Sequence, residues 1–452
     1  MPHPENEESY PMQLHSTSID SIVILNPKLY KDPKTSKESR IFPYYAGYSS
    51  EFSNNLLSTL GLSRNAIIFD PWNGSGTTTR SAFTNGFDSI GFDLNPSMIL
   101  VAKARLLSPL EHPSLVAIAT FLVEQARITI SSYSSSKDDP LLKWFSTCGA
   151  TPIRVLESKI NHLLISSGTY LKLDNNAAMD LVSPLAAFFY VSLFRTVRKL
   201  LIDFIPSNPT WVKHPKTKFN RKRPSLECIF KTFIDEVKIL ISRESSFEAT
   251  SRDAESSVKL QIGNAEDIFL KDNSVDAIIS SPPYCTRIDY AVSTTIELAV
   301  IRCEQREFDV LRRCLTGTST VERTAVPVDK KWGDTCVNFL DSLYSHPSRA
   351  SKGYYFKNHL QYFGSLSRSL GEIARVLKPG KLCFLVVQDS HYKEIHNDVP
   401  LIASEMANEF GLKIARREDF RTSRSMVGVN LNSKKYLKSR NTTESVLCFQ
   451  KH

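Results

Sequence analysis

The stretch AIIFDPWNGSGTTT, residues 66 to 79, decides the fold. Its first five residues are apolar and partly β-branched and stop at an acid, Asp70, as a short buried strand does. Glycines at 74 and 76 then permit a tight turn, and a helical pattern follows through Phe83. A second strand-like run, DSIGFD from Asp88 to Asp93, again ends in an acid, and Asn95-Pro96 starts another helix, SMILVAKARLL. Strand, glycine turn, helix and a strand ending in Asp make one half of a doubly wound α/β sheet. Glycine usage agrees: six of the 17 in the chain (Gly47, Gly61, Gly74, Gly76, Gly86 and Gly91) fall around this unit.

The same rhythm resumes far down the chain. VKLQIG (258–263), SVDAIIS (274–280) and KLCFLVVQD (381–389, behind the turn LKPGK) read as strands, and FGLKIARREDF and SVLCFQK as the last two. Between the halves, 109–255 is dominated by helical periodicity, with Ser183-Pro184 as a helix start and SSYSSSKDDP (131–140) as a surface linker. Residues 1–38 are polar and proline-punctuated and read as a flexible or loosely docked arm. The expected organisation is one α/β domain, 39–108 and 256–452, split by a helical insertion, 109–255.

Composition narrows the classes. The 452 residues are 41% hydrophobic and 23% charged, which excludes a disordered or fibrous chain. Lys plus Arg outnumber Asp plus Glu by 56 to 47, and the resulting +9 favours polyanionic partners. The opening MPHPENEESYPMQLHS lacks a basic start before an apolar core, so no secretory signal is expected. Without an uninterrupted apolar run of about 18 residues, no membrane span is expected either. The eight cysteines are dispersed, with no CxxC and no Cys/His cluster at zinc spacing, so free thiols in a reducing cytoplasm and no metal are expected.

Two constellations carry chemistry. The loop Asp70-Pro71-Trp72-Asn73-Gly74-Ser75-Gly76-Thr77-Thr78 sits at the carboxyl end of the first strand, where open α/β sheets bind ligands. Its glycines let a ligand approach the backbone, and the helix behind offers free N–H groups. Asp93, ending the next strand, is placed to accept from ribose hydroxyls. No GK[ST] follows, so the loop is not a phosphate-binding P-loop. Taken alone it is a glycine-rich turn such as many α/β proteins have. Ser281-Pro282-Pro283-Tyr284, directly after SVDAIIS, is the second constellation. Two prolines remove N–H donors, so the carbonyls of the turn are expected to point outward without internal partners, beside an aromatic face. That suits a planar group bearing an exocyclic amine. As a bare tetrapeptide it would be a proline turn; its place in the same sheet as the glycine loop gives it meaning.

Together these residues resemble the S-adenosylmethionine-dependent DNA amino-methyltransferases, which modify N4 of cytosine or N6 of adenine. The resemblance covers residues 40–108 and 258–452. RIFPYYAGYSSEFS (Arg40 to Ser53) is similar to the motif upstream of the glycine loop, and DPWNGSGTTT to the cofactor loop, with Trp72 where Phe is common. Asp93 in GFDLNP matches the ribose-holding acid, Gly263-Asn264-Ala265 the adenine-side motif (Asp being usual at Asn264), and Ser281 to Tyr284 the catalytic motif, trailed by TRIDY. ARVLKPGKLCFLVVQDS and ESVLCFQK resemble the fifth and seventh strands.

The resemblance implies a Rossmann-like sheet of seven strands, the last one antiparallel. It implies S-adenosyl-L-methionine held by Tyr45, Asp70, Trp72, Gly74, Ser75, Gly76, Thr77, Thr78, Asp93, Leu94, Asn264 and Ala265. Catalysis falls to Ser281, Pro282, Pro283 and Tyr284, with direct attack of the amine on the sulfonium methyl. Ser at the first motif position is associated most with cytosine N4. The implied partner is double-stranded DNA in a restriction-modification or phage-defence setting, with a cognate nuclease or defence subunit. Adenine N6, an RNA amino-methyltransferase and a catalytically silent nucleic-acid-binding subunit are the alternatives.

For the DNA surface, Arg195 to Arg223 holds nine basic residues against one acid, Asp203, with Trp211, His214 and Phe219 interleaved. Lys213, Lys216, Lys218, Arg221, Lys222 and Arg223 are the candidates, and a solvated basic loop is the plainer reading. A second basic tract runs from Arg421 to Arg440. Asp389 and His391 look like an acid/base pair but read better as a loop cap, and Cys285 reads as packing.

Overall fold

The computed structural model describes residues 19–28, 41–42, 47–134, 136–166, 168–206, 211–244, 256–286, 288–322, 327–422 and 442–452. Strands β1 (Ile67–Asp70), β2 (Asp88–Asp93), β3 (Val258–Ile262), β4 (Val275–Ser280) and β5 (Leu377–Gln388) pair in parallel. A small hairpin, β6 (Ser390–Tyr392) and β7 (Ile395–Asn397), follows β5. β8 (Leu412–Thr422) and β9 (Thr442–Lys451) complete the main sheet, whose order is β3-β2-β1-β4-β5-β9-β8. β9 is antiparallel to both β5 and β8, so the last strand alone runs against the other six. This is the doubly wound, Rossmann-like α/β sheet expected from the sequence. The strands are apolar runs because both faces are covered: every residue of β4 is buried. The winding reverses between β1 and β4, and the crevice outside their carboxyl ends is where such sheets take ligands.

Helices start where their caps dictate. The Ser49 hydroxyl accepts from Phe52 N at 3.1 Å to begin α1 (Ser50–Thr59). α2 (Thr77–Thr84) begins at Gly76, which has φ of 77° and offers no side-chain cap. A Cβ at Gly76 would lie 2.7 Å from Ala102 Cβ, so glycine serves both the left-handed turn and the close approach of α3 (Pro96–Ala104). Asn95 caps α3 by accepting from Ser97 N at 3.0 Å, with Pro96 in its first turn.

The segment 109–255 supplies α4 (His112–Thr129), α5 (Thr147–Leu164), α6 (Pro184–Leu200) and α7 (Leu226–Glu244). α6 lies against α3 and α7, and its apolar run joins Met98–Ala104 in one core that covers a face of the sheet. The stretch Pro109–Ser132, which contains α4, is apolar enough and long enough to cross a membrane by length and composition alone. One stripe of it (Leu115, Ala119, Leu122, Val123, Ala126) is built into that protein core. A buried ionic knot fastens the helices to the other half of the chain: Arg154, 1% exposed, pairs with Asp139 and donates to the carbonyls of Ala299 and Val300. At the amino end, residues 19–28 dock on the last strands. Ile22 is buried, and its carbonyl accepts from Arg416 Nη1 at 2.7 Å.

Candidate functional site

A cleft of about 920 Å³, counting its open mouth, lies at the carboxyl edge of β1, β2 and β4. The two motifs meet in it. From the glycine loop come Asp70, Trp72, Gly74, Ser75 and Thr77; from β2, Asp93 and Leu94; from the turn after β3, Asn264 and Ala265; and from the turn after β4, Ser281 to Tyr284. Two expected ligand residues stand behind the wall instead. Gly76 forms the helix start, and Thr78 spends its hydroxyl on Ile279 O at 3.0 Å, joining α2 to β4. Tyr45 lies outside the described residues. Tyr48, three positions on, reaches the cleft, with its hydroxyl paired to Thr78 and donating to Ile279 O at 3.2 Å. Tyr48, Thr294 and Thr316 line the cleft without having been singled out, as does Tyr290, which was quoted only as the end of TRIDY. For Tyr48 the signal was present in YYAGYSSEFS, which contains three tyrosines; the others follow a turn whose path sequence does not state.

The floor is acidic. Asp70, 3% exposed, accepts from Trp72 N at 3.1 Å and from the Ser280 hydroxyl at 2.5 Å. Burial nevertheless lifts its carboxyl to about 6, the hydrogen bonds opposing that shift. Asp93 accepts from Gly74 N at 3.0 Å on one oxygen and from Asn95 N at 2.8 Å on the other. Burial, aided by the charge on Asp70, pushes it up to about 7 against those two amides. Each oxygen keeps a lone pair for a further donor. Asn264 folds its Oδ1 onto Glu266 N at 3.0 Å, and Gly263 N donates to Asp93 O at 3.2 Å, tying the turn after β3 to β2. A Cβ at Gly263 would lie 2.6 Å from the Phe92 ring.

The turn after β4 is more constrained than sequence suggested. Its carbonyls do not all lack partners: Pro283 O accepts from the Tyr362 hydroxyl at 3.0 Å and Tyr284 O from Thr286 N at 2.7 Å. Proline removes donors but says nothing of what packs opposite, and α8 (Phe356–Val376) brings Tyr362 there. Among the described residues no hydrogen bond reaches the Pro282 carbonyl. Ser281 donates its proton to Val386 O on β5 at 2.9 Å, leaving its oxygen as an acceptor. Tyr284 is 7% exposed and donates to Glu444 Oε1 at 2.5 Å. Burial first, and the Glu444 charge second, hold that hydroxyl well above its ordinary range, so it stays protonated.

The plainer expectations fit their surroundings. Cys285 is lifted to about 12 by burial and takes an Asn397 amide at 3.5 Å. Asp389 receives Thr443 N at 2.8 Å as a strand-end cap, and its histidine partner is His396, at 3.2 Å, rather than His391. Among the described residues no group of three or more His, Cys, Asp or Glu is arranged to hold a metal ion.

Of the nine basic residues counted from Arg195 to Arg223, three belong to the fold. Arg195 and Lys199 pair with Glu236, and Arg198 with the fully buried Glu297. Charge counts along a chain cannot see partners brought by other helices. Lys213, Lys216, Lys218 and Arg223 are exposed, Arg221 is half-buried, and Lys222 pairs with Asp203; none of the six lines the cleft. Most of the tract from Arg421 to Arg440 lies outside the described residues.

No family model matches the chain. The chain is similar to Type II methyltransferases, to one along most of its length and to another over about a third. M.BsoBI of Geobacillus stearothermophilus is 22% identical over 449 residues, 87% of this chain and 83% of its own. M.AvaI of Nostoc sp. is 29% identical over 152 residues, 31% of each chain. A SAM-dependent methyltransferase structure from Methanosarcina mazei, 9% identical and covering 86% of this chain and 94% of its own, superposes with a TM-score of 0.30.

Proposed function

We propose that this chain is an S-adenosylmethionine-dependent DNA methyltransferase that modifies an exocyclic amine, cytosine N4, on a base flipped out of the duplex, within a restriction-modification or phage-defence system that includes a cognate nuclease. One observation carries the reading. The turn after β4 presents an acceptor serine and the Pro282 carbonyl, unpartnered among the described residues, in the same cleft as the glycine loop and Asp93. The M.BsoBI likeness along most of the chain supports the class.

The residues present fit the cofactor. Asp93 offers carboxylate lone pairs for a ribose, α2 opens at an uncapped glycine with free amides, and the turn at Gly263 leaves no room for a side chain. Tyr48, Asp70 and Trp72 complete the wall on that side. When bound, S-adenosylmethionine supplies an electrophilic methyl on its sulfonium.

The chain's own groups act on the amine. Its lone pair is delocalised into the base ring, and two N–H bonds, to Pro282 O and Ser281 Oγ, localise it and fix its direction. Because the Ser281 proton is committed to Val386 O, the serine accepts and does not donate. An alcohol is a poor base at neutral pH, so the proton is lost to water after transfer. Tyr284 offers its ring to the extruded base.

Sequencing with base-modification detection tests the reading, on DNA from cells expressing the protein beside cells expressing Ser281→Ala. The expected result is a short motif carrying modified cytosine with the intact protein alone. A modified adenine would replace the base assignment. Absence of any DNA mark, with methyl transfer to structured RNA, would replace the substrate.

A further inference from the structure

Glu444 opens the buried part of β9, paired in register with Gln388 of β5 at the carboxyl edge of the sheet. It is 1% exposed, and a carboxylate removed from water is costly unless well paired. Its Oε1 receives the Tyr284 hydroxyl at 2.5 Å and the Lys28 ammonium at 3.0 Å. Lys28 also donates to Gln388 Oε1 at 3.1 Å and stands 5.4 Å from the centroid of the Tyr284 ring. Among the described residues Oε2 has no hydrogen-bond partner, and the Tyr284 amide donates to the Tyr290 hydroxyl at 3.3 Å. Nothing in the packing of this strand requires a charge, since an apolar residue would fill the same space at lower cost. What the charge does is hold one phenol.

We propose that Glu444 is a positioning residue that fixes the plane of the Tyr284 ring, and that Lys28 is its counter-ion, so the segment before α1 completes the wall against which the base stacks. The inference rests on the function proposed above. A tyrosine held only by its Cα–Cβ–Cγ torsions can rock about its axis. A hydroxyl bound to a buried carboxylate has one preferred plane, so the ring meets the base already oriented, and that order need not be imposed on binding.

The test uses the full chain as wild type, Glu444→Ala, Glu444→Gln, Tyr284→Phe, Lys28→Ala and the Tyr284→Phe/Glu444→Ala double variant. Methyl transfer to unmodified phage DNA gives kcat and KM, calorimetry gives the cofactor Kd, and crystal structures give the ring. Glu444→Ala and Tyr284→Phe should each lower kcat/KM for DNA about tenfold, and the double variant should be no worse than either, because both remove one interaction. Glu444→Gln, which keeps an acceptor, should recover most of the loss, and Lys28→Ala should fall between. Cofactor affinity should change less than twofold throughout. An unchanged kcat/KM in Glu444→Ala, or losses that multiply in the double variant, would overturn the proposal. If the wild type methylates no DNA, it is the functional reading that fails. The ring then decides the positioning role: one fixed orientation in Glu444→Ala overturns it, and a split or displaced ring supports it. Should Glu444→Ala not fold, the same comparison is made with Glu444→Gln and Lys28→Ala.

Discussion

The Ser280 hydroxyl donates to Asp70 Oδ1 at 2.5 Å, joining the last residue of β4 to the last residue of β1. Ser280 immediately precedes the turn at Ser281 and Asp70 opens the glycine loop, so one hydrogen bond spans the two halves of the cleft. Thr78 and Tyr48 repeat the connection through the Ile279 carbonyl. The cleft is thus stitched where the winding of the sheet reverses.

Ser280→Ala removes a donor from a carboxyl that is 3% exposed and leaves it short of a partner. Such a deletion costs about 1 to 3 kcal/mol. Burial sets Asp70 at about 6, so the loss should be larger at pH 8, where the group is charged, than at pH 5, where it is protonated. Urea midpoints of the variant and wild type at both pH values check this; equal differences at the two would show the bond is indifferent to the charge.

Asp93 gives a pH dependence of definite sign. Burial raises it from 3.8 to about 7, so the unliganded fold binds its proton more tightly than the unfolded chain does. Its contribution to stability is therefore full below about pH 4 and is lost as pH rises through about 7. Thermal scans of the unliganded protein should show this downward drift, and Asp93→Asn should show a smaller one that ends near pH 6, where the Asp70 contribution is spent. Ribose hydroxyls donate, so the cofactor favours the ionised carboxylate. Binding should tighten from pH 6 to 8 and release a proton, seen as a buffer-dependent heat in calorimetry. Asp93→Ala should weaken it by about 1.5 to 3 kcal/mol. Flat affinity with no proton release would place the ribose elsewhere.

Arg154 ties the helices of 109–255 to the segment after the turn at Ser281, through the carbonyls of Ala299 and Val300. It is 1% exposed, and Arg154→Ala would strand the Asp139 carboxylate, whereas Glu157 would keep Arg302 and the hydroxyls of Tyr170 and Tyr190. Removing one partner of a buried pair costs about 3 to 5 kcal/mol. The expected result is a single unfolding transition at lower urea. Two separated transitions would instead mean the helical segment holds together without this link.

The strands were legible because a parallel sheet writes itself as apolar runs, and β1 and β2 each end in an acid that lines the cleft. The glycine loop and the turn at Ser281 were legible because their backbones admit few other residues. What could not be read were partners from distant elements. Tyr362 caps Pro283 from α8, Glu297 absorbs Arg198, and Glu444 holds Tyr284 across the sheet. Each is a long-range hydrogen bond with no local pattern, although a lone acid at the head of the apolar run ESVLCFQK marks Glu444 in retrospect. The hairpin β6–β7 went unread because three-residue strands carry too few alternations to show a period.

Lys213, Lys216 and Lys218 are exposed on the loop that Trp144 anchors through its indole N–H on Lys213 O, at 2.9 Å. His214 stacks on the same indole, so the loop has a fixed base under exposed charged tips. If these lysines contact phosphates, replacing all three by alanine should weaken DNA binding uniformly across sequences. It should also reduce the slope of log K against log salt by roughly 0.9 per lost contact, or about 2.7 in all. Cofactor affinity should stay the same, because none of the three lines the cleft. Filter binding across a salt series with the wild type and the triple variant measures this. An unchanged slope would assign the loop to solvent and move the DNA surface to another face of the protein.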